Sequence, residues 1–223
     1  MAGEESPNRM TNYPLFTLVI LFASVLSFIS PKIAALLVFD RNAVMQGEAW
    51  RLFSSHFVHF SNIHLFYNLL VFSIAGWLVE RKNALHFGLL YLMMASAISI
   101  TLIILKPAMT YYGGLSGLAC GFVFYWALLG LAKPGPWRTP CLLLLFCLPG
   151  KTLAELKLGT SLLPYWGRQT FVMMPVGHIA GIIVALVFYI VLRCYRTFPR
   201  QQTDPAADHL RQTPGYSCRR HLR

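Results

Sequence analysis

Ser116 and His178 are the two residues of this chain whose types and settings suit acyl-transfer chemistry. Ser116 lies in Tyr111-Tyr112-Gly113-Gly114-Leu115-Ser116-Gly117, at the head of an apolar run. The Gly-Gly pair lets the backbone turn sharply and predicts Ser116 in the first turn of a helix. There the unpaired backbone N–H groups and the positive dipole end favour an anion. A serine nucleophile has the same need, because its tetrahedral intermediate carries a negative oxygen. An ordinary N-cap serine would occupy this place equally well. A lone GxSG is weak evidence, since the nucleophile elbow belongs on a strand-turn-helix.

His178 stands in Gly177-His178-Ile179-Ala180-Gly181, near the start of the last apolar run. Gly177, Gly181 and Ala185 form a stripe of small residues, and Gly113, Gly117 and Gly121 form another. Such stripes let two helix backbones approach closely in lipid. If they face each other, Ser116 and His178 come within hydrogen-bond reach. His178 would then act as base on Ser116 and later as acid toward the leaving amine. No carboxylate is expected within the apolar runs to orient the imidazole, Asp40 lying in a loop and Asp204 and Asp208 in the tail. The expectation is therefore a dyad rather than a triad.

A second polar cluster, His56, His59, His64 and Asn68, falls in one apolar run. His64 and Asn68 are four apart and share a helix face, and His59 lies on the outer end of the same run. Two hydrogen-bond donors on one buried face can stabilise a developing oxyanion; they can equally satisfy each other or a nearby carbonyl. Ionisable groups in a membrane span are costly and are functional candidates by default.

The elements that must position these residues follow from composition. Of 223 residues, 56% are hydrophobic and 12% charged, against about 45–50% and about 25% in soluble domains. Six apolar blocks, at 14–39, 56–79, 85–105, 115–131, 140–156 and 171–192, meet or approach the roughly 20 residues a bilayer-crossing helix needs. The fold class expected is an all-α membrane protein with six transmembrane helices. Residues 1–13 form a short N-terminus, 14–195 the membrane domain and 196–223 a basic, disordered tail. Pro149 and Gly150 predict a kinked or short fifth helix, and 158–174 a mobile connection. In the first loop, residues 40–52 are amphipathic: Trp50 suits the headgroup level while Arg51 snorkels outward.

With six spans the termini share a side that carries twelve Lys and Arg, seven of them in the tail from Arg193, against seven on the other. The bias places both ends in the cytoplasm. The tail either attracts anionic lipid or simply fixes topology. The first block continues without a small-residue cleavage site and reads as an uncleaved helix. Cysteines at 120, 141, 147, 194 and 218 form neither a disulfide framework nor a zinc pattern. The charge of +11 is scattered between spans, which disfavours nucleic acid as a partner.

The chain resembles the rhomboid intramembrane serine proteases. Trp50-Arg51 is similar to that family's WR motif, and His59, His64 and Asn68 match its HxxxxHxxxN pattern. Gly114-Leu115-Ser116-Gly117 matches its GxSG motif, and His178 with Gly181 its HxxG. Glu80 resembles the acidic residue that follows its second span. The resemblance covers residues 14–193, and five motifs in order are far more specific than any one. It implies a six-span rhomboid-like bundle with Ser116 as nucleophile, His178 as base, and the Ser116 N–H, His64 and Asn68 as oxyanion hole. It also implies supporting roles for His59, Gly114, Gly117, Gly181, Trp50 and Arg51, and no metal or cofactor. The implied partners are the lipid bilayer and single-span or C-terminally anchored membrane proteins, cut near their extracytoplasmic end. Cys120 departs from the pattern, standing where many rhomboids carry a Tyr that supports the histidine.

The short layout and the stretch KTLAELKLG at 151–159 resemble the bacterial rhombosortase branch, which implies a bacterial inner membrane and substrates with C-terminal GlyGly-CTERM tails. The competing readings are a catalytically inactive rhomboid-like protein that binds membrane helices, and a haem or metal carrier using His56, His59, His64 and His178. Metalloprotease chemistry lacks an H-E-x-x-H, and a transporter lacks paired broken helices.

Overall fold

The computed structural model describes residues 13–162 and 174–197. Residues up to Tyr189 form one compact unit, and the described residues from Ile190 onward are the last turns of the final helix.

The first apolar block forms two helices rather than one. α1 runs over Leu15–Ile29 and α2 over Pro31–Leu37, bent by 118° at Ser30. Pro31 has no N–H to continue the ladder and is favoured at a first helical position, while the Ser30 side chain accepts from Ile33 N at 3.5 Å. The residues α1 buries are Thr17, Ile20, Ser24 and Ser27, whereas Leu15, Val19 and Phe22 are exposed. This inversion, with small and polar residues inward and large apolar ones outward, is what lipid as the outer solvent selects. Glu80, almost fully buried, accepts hydrogen bonds from Phe16 N, Thr17 N and Thr17 Oγ1 at 2.9, 2.7 and 2.6 Å. Its carboxylate thus meets the unpaired N–H groups that begin α1.

The first loop is ordered by its own polar groups. β1 (Phe39–Asp40) pairs antiparallel with β2 (Tyr111–Tyr112), Phe39 opposite Tyr112. Asp40 caps α3 (Arg41–Met45), accepting from Asn42 N at 2.9 Å. Arg41 donates to the carbonyls of Met109, Ile103 and Lys106. Arg51 opens α4 (Arg51–Ser54) and does not snorkel outward. It is buried, donating to Ala35 O and Val38 O at 2.8 Å each. The carbonyls that end α2 have no intrahelical donors, and a guanidinium with five N–H groups satisfies them. Trp50 remains half-exposed, with Nε1 3.3 Å from Leu36 O.

The remaining helices are α5 (Asn62–Glu80), α6 (Ala84–Leu105), α7 (Ser116–Leu131), α8 (Arg138–Leu158) and α9 (Pro175–Thr197). Ser61 and Asn83 cap α5 and α6 through His64 N and His86 N. The second polar block begins before its helix: His56 sits in a 3-10 turn, Ser55–Phe57, and His59 in the loop that follows. α8 runs without interruption through Pro149 to a left-handed Gly159 at φ +68°, so the fifth block is not shortened. The predicted 158–174 connection lies largely outside the described residues.

α7 buries residues on most of its circumference, among them Gly117, Leu118, Gly121, Phe122 and Tyr125. Phe122 stacks on Phe87 of α6 (4.7 Å between centroids) and meets Phe72 of α5 edge-on (5.5 Å). Among the described residues, three helices are long and apolar enough to cross a membrane, α5, α6 and α9; the bent α1–α2 pair would make a fourth. α7 has 16 residues, and α8 carries Lys151, Glu155 and Lys157. The molecule is an all-α membrane bundle.

Candidate active site

α7 begins at Ser116, in the first-turn position expected from the Gly-Gly pair. The loop before it is fixed at several points. Gly114 N donates to Ser55 O at 3.2 Å, and Tyr112 Oη donates to Gly114 O at 3.4 Å. The fully buried His56 ring lies 3.3 Å from the Gly114 carbonyl through Nδ1 and 3.3 Å from the Ala95 carbonyl through Nε2. Which of the two receives the N–H depends on the tautomer. His56 thus braces the loop against α6 and does not enter the cavity described below.

Two glycines permit close approach here. A Cβ on Gly113 would lie 2.7 Å from Val58 O. Gly114 has φ +133°, a conformation that disfavours any side chain, and a Cβ there would lie 2.8 Å from His64 Cε1 and 3.0 Å from His64 Nε2. The loop backbone therefore packs directly on the His64 ring. His64 and Asn68 are buried on one face of α5, in a stripe that continues through Phe72, Ala75 and Val79. His59 packs edge-on against His64, with ring centroids 5.0 Å apart, and its Nδ1 donates to Phe57 O at 3.0 Å.

α9 approaches α7 along the two small-residue stripes. A Cβ on Gly117 would lie 2.9 Å from Gly177 O, one on Gly121 would lie 2.8 Å from Gly181 O, and one on Gly181 would run into the Gly117 carbonyl. These backbones touch because side chains are missing at the crossing. Gly113 lies in the loop and faces Val58 instead.

A cavity of about 570 Å³ opens between these elements, and Ser116, His178, His64, Asn68, Cys120 and Lys151 are among its lining residues. The four residues expected as nucleophile, base and oxyanion hole thus line one space. Ser116 is half-buried, and His178 and Asn68 are buried. Trp50 and Arg51 lie elsewhere, holding the end of α2. Gly114, Gly117 and Gly181 contribute through spacing rather than contact with the cavity. Among the described residues, no group of three His, Cys, Asp or Glu side chains is gathered as a metal ion would require.

The absence of a carboxylate expected from the sequence is corrected by Glu155. This residue of α8 is completely buried, and its Oε2 lies 3.9 Å from His178 Nδ1. Its other oxygen accepts from Lys151 Nζ at 2.7 Å and from Leu162 N at 3.0 Å. The sequence carries a signal for it: an acidic residue inside the fifth apolar block, four after a lysine. A lone pair of charges there is expensive unless it has an interior task or partner.

Residues 46–195 match the family described as Rhomboid domain. The chain is 29% identical over 126 residues to Rhomboid protease GlpG of Enterobacter sp. (strain 638), a match covering 53% of this chain and 45% of that protein. It is 30% identical over 125 residues to the Rhomboid protease GlpG of Salmonella choleraesuis (strain SC-B67), again 53% of this chain and 45% of that protein. For the Klebsiella pneumoniae protein of the same name, identity is 33% over 90 residues, 40% of this chain and 32% of the relative. The chain therefore spans less than half the length of these relatives. Since the family match takes in more than half of the chain and reaches from the first loop through α9, this integral membrane protein belongs to the rhomboid family.

Proposed function

We propose that the protein is an intramembrane serine endopeptidase that cuts membrane-anchored proteins near the extracytoplasmic end of their transmembrane segment. The observation that carries this reading is the convergence of Ser116, His178, His64 and Asn68 on one cavity of a rhomboid-family chain.

The chemistry follows from the groups present. Ser116 Oγ attacks the scissile carbonyl carbon while its proton passes to His178. The carbonyl π electrons move onto oxygen, and that oxyanion lies at the N-terminus of α7, where first-turn N–H groups have no helical partner. His64 and Asn68 supply side-chain donors from α5. When the intermediate collapses, His178 returns the proton to the leaving amine, and an acyl-enzyme remains on Ser116. Water then attacks the ester, with His178 again as base. A bundle interior low in competing water strengthens each of these electrostatic contacts.

The finer reading has six spans with both termini in the cytoplasm of a bacterium, the fold sitting in the inner membrane. Its substrates would be proteins bearing C-terminal GlyGly-CTERM tails, on the rhombosortase-like stretch at 151–159. Co-expression with a reporter ending in such a tail tests this: mass spectrometry of the reporter should show a shortened C-terminus, absent with Ser116→Ala.

The activity itself is tested on purified full-length protein in detergent with a fluorophosphonate probe. Wild type should label at Ser116, and Ser116→Ala and His178→Ala should not. His64→Ala and Asn68→Ala should each slow labelling by about 10²- to 10³-fold, the usual effect of one oxyanion donor. Unlabelled wild type beside a reactive rhomboid control would leave the helix-binding, non-cleaving reading in its place.

A further inference from the structure

We propose that Glu155 is a positioning residue for His178, making the site a Ser–His–Glu arrangement in which α8 supplies the third member. The inference rests on the Ser116–His178 reading above and deepens it.

Three observations converge on Glu155. It is completely buried on a helix whose other buried residues are only Cys141 and Thr152. Its two oxygens are used differently: Oε1 is taken by Lys151 Nζ and Leu162 N, while Oε2 has no hydrogen-bond partner among the described residues. His178 Nδ1 likewise has none among them, and the two atoms face each other at 3.9 Å. A buried acceptor and a buried donor left over on adjacent helices are costly apart and favourable together. The separation exceeds a hydrogen bond, and contacts of this kind commonly tighten once a substrate is bound.

The chemical consequence concerns which nitrogen carries the proton. To accept from Ser116 Oγ through Nε2, the neutral imidazole must hold its hydrogen on Nδ1. A carboxylate can only accept, so Glu155 selects that tautomer. When the Ser116 O–H bond breaks and the Nε2–H bond forms, the ring becomes imidazolium, and the Glu155 carboxylate, shared with Lys151, lies beside it. No proton passes to Glu155. Lys151 holds the carboxylate through its other oxygen, Oε1.

The competing account is a scaffold: Glu155 merely pairs Lys151 and ties Leu162 to α8. Substitution by glutamine separates the two. The amide of Glu155→Gln would retain an oxygen for Lys151 and Leu162 N, but its NH₂ group can donate to Nδ1 and favour the wrong tautomer.

The test measures fluorophosphonate inactivation kinetics of full-length protein, resolving the maximal rate from the half-saturating probe concentration. Glu155→Gln should lower the maximal rate on the order of a hundredfold with half-saturation and thermal midpoint unchanged, and Glu155→Asp should recover part of the loss. Lys151→Met should be milder than Glu155→Gln. A folded Glu155→Gln that reacts at the wild-type rate overturns the proposal and leaves the dyad standing. So does a Lys151→Met loss equal to that of Glu155→Gln, because the ion pair would then be what matters. Wild type that fails to react removes the parent reading itself, and this one with it. Should Glu155→Gln not fold, wild type labelled with ¹⁵N-histidine decides. After phosphonylation of Ser116, a downfield proton on His178 Nδ1 supports the carboxylate contact, and its absence refutes it.

Discussion

At the scale of single residues, Gly114 links backbone geometry to chemistry most directly. Its φ of +133° is open to glycine and strained for anything larger, and the missing side chain leaves room for the His64 ring, which a Cβ would approach to 2.8 Å. Gly114→Ala should therefore displace an oxyanion donor while the bundle persists. The expected result is fluorophosphonate labelling slowed on the order of a hundredfold, the usual effect of misplacing such a group by about 1 Å, with little change in thermal midpoint. Labelling at the wild-type rate would show that His64 takes no part. Ser116, His178, His64 and Asn68 are legible in the sequence because each stands in a short motif with a physical reason for its spacing. Glu155 is legible only as a costly charge four after Lys151 in an apolar block; the stretch at 151–159 gives no hint of which neighbour on another helix it meets. Arg51 misleads for a related reason: the carbonyls it satisfies lie at the end of α2, in Ala35 and the following Val38, and the sequence merges α2 with α1.

Among the elements, the crossing of α7 and α9 decides whether Ser116 and His178 share a cavity at all. Three glycines, Gly117, Gly121 and Gly181, let carbonyls and Cα atoms of the two helices touch. Overfilling such a contact costs about 1–3 kcal/mol, and here the obstruction is backbone, which cannot rotate away. Gly181→Val should thus lower both the thermal midpoint and the labelling rate. His178→Ala, which removes the base but leaves the crossing intact, should lower labelling alone. If Gly181→Val matched the wild-type midpoint, the close packing of α7 on α9 would be wrong. The facing of these stripes is legible in small residues at helical spacing. Helix ends are harder. The break at Pro31 lies inside one continuous apolar block, and hydropathy does not register a 118° bend. Pro149 misleads in the other direction: it stands within α8 without ending it, so its effect is smaller than its residue type suggests.

For the whole molecule, an apolar core is matched by an apolar exterior, and several polar side chains lie between helices. Buried Thr17, Ser24, Ser27 and Glu80 face the bundle, while Phe22, Phe66, Ile74 and Leu92 lie outward. With lipid outside, apolar surface gains nothing by being buried, so helix association rests on close packing and on polar contacts such as Glu80 with α1. Spans are then better counted by how each helix packs as well as by length, because α7 is surrounded by other helices and need not be long. α7 is short and α8 carries charged residues, yet the proposed site needs the start of α7, the start of α9 and Glu155 near the end of α8 at one depth. That is possible if α7 and α9 descend from the same face and α8 returns between them. On that arrangement the chain would cross six times, counting α1, α5, α6, α7, α8 and α9, and an even number would put Tyr13 and the end of α9 on one side. Reporter fusions at residues 13 and 197, one active only in the cytoplasm and one only outside it, should give the same cytoplasmic answer at both ends. Opposite answers would mean an odd number of crossings. One of the six helices would then fail to span, and if that helix were α7 or α8, Glu155 and His178 would not share a depth.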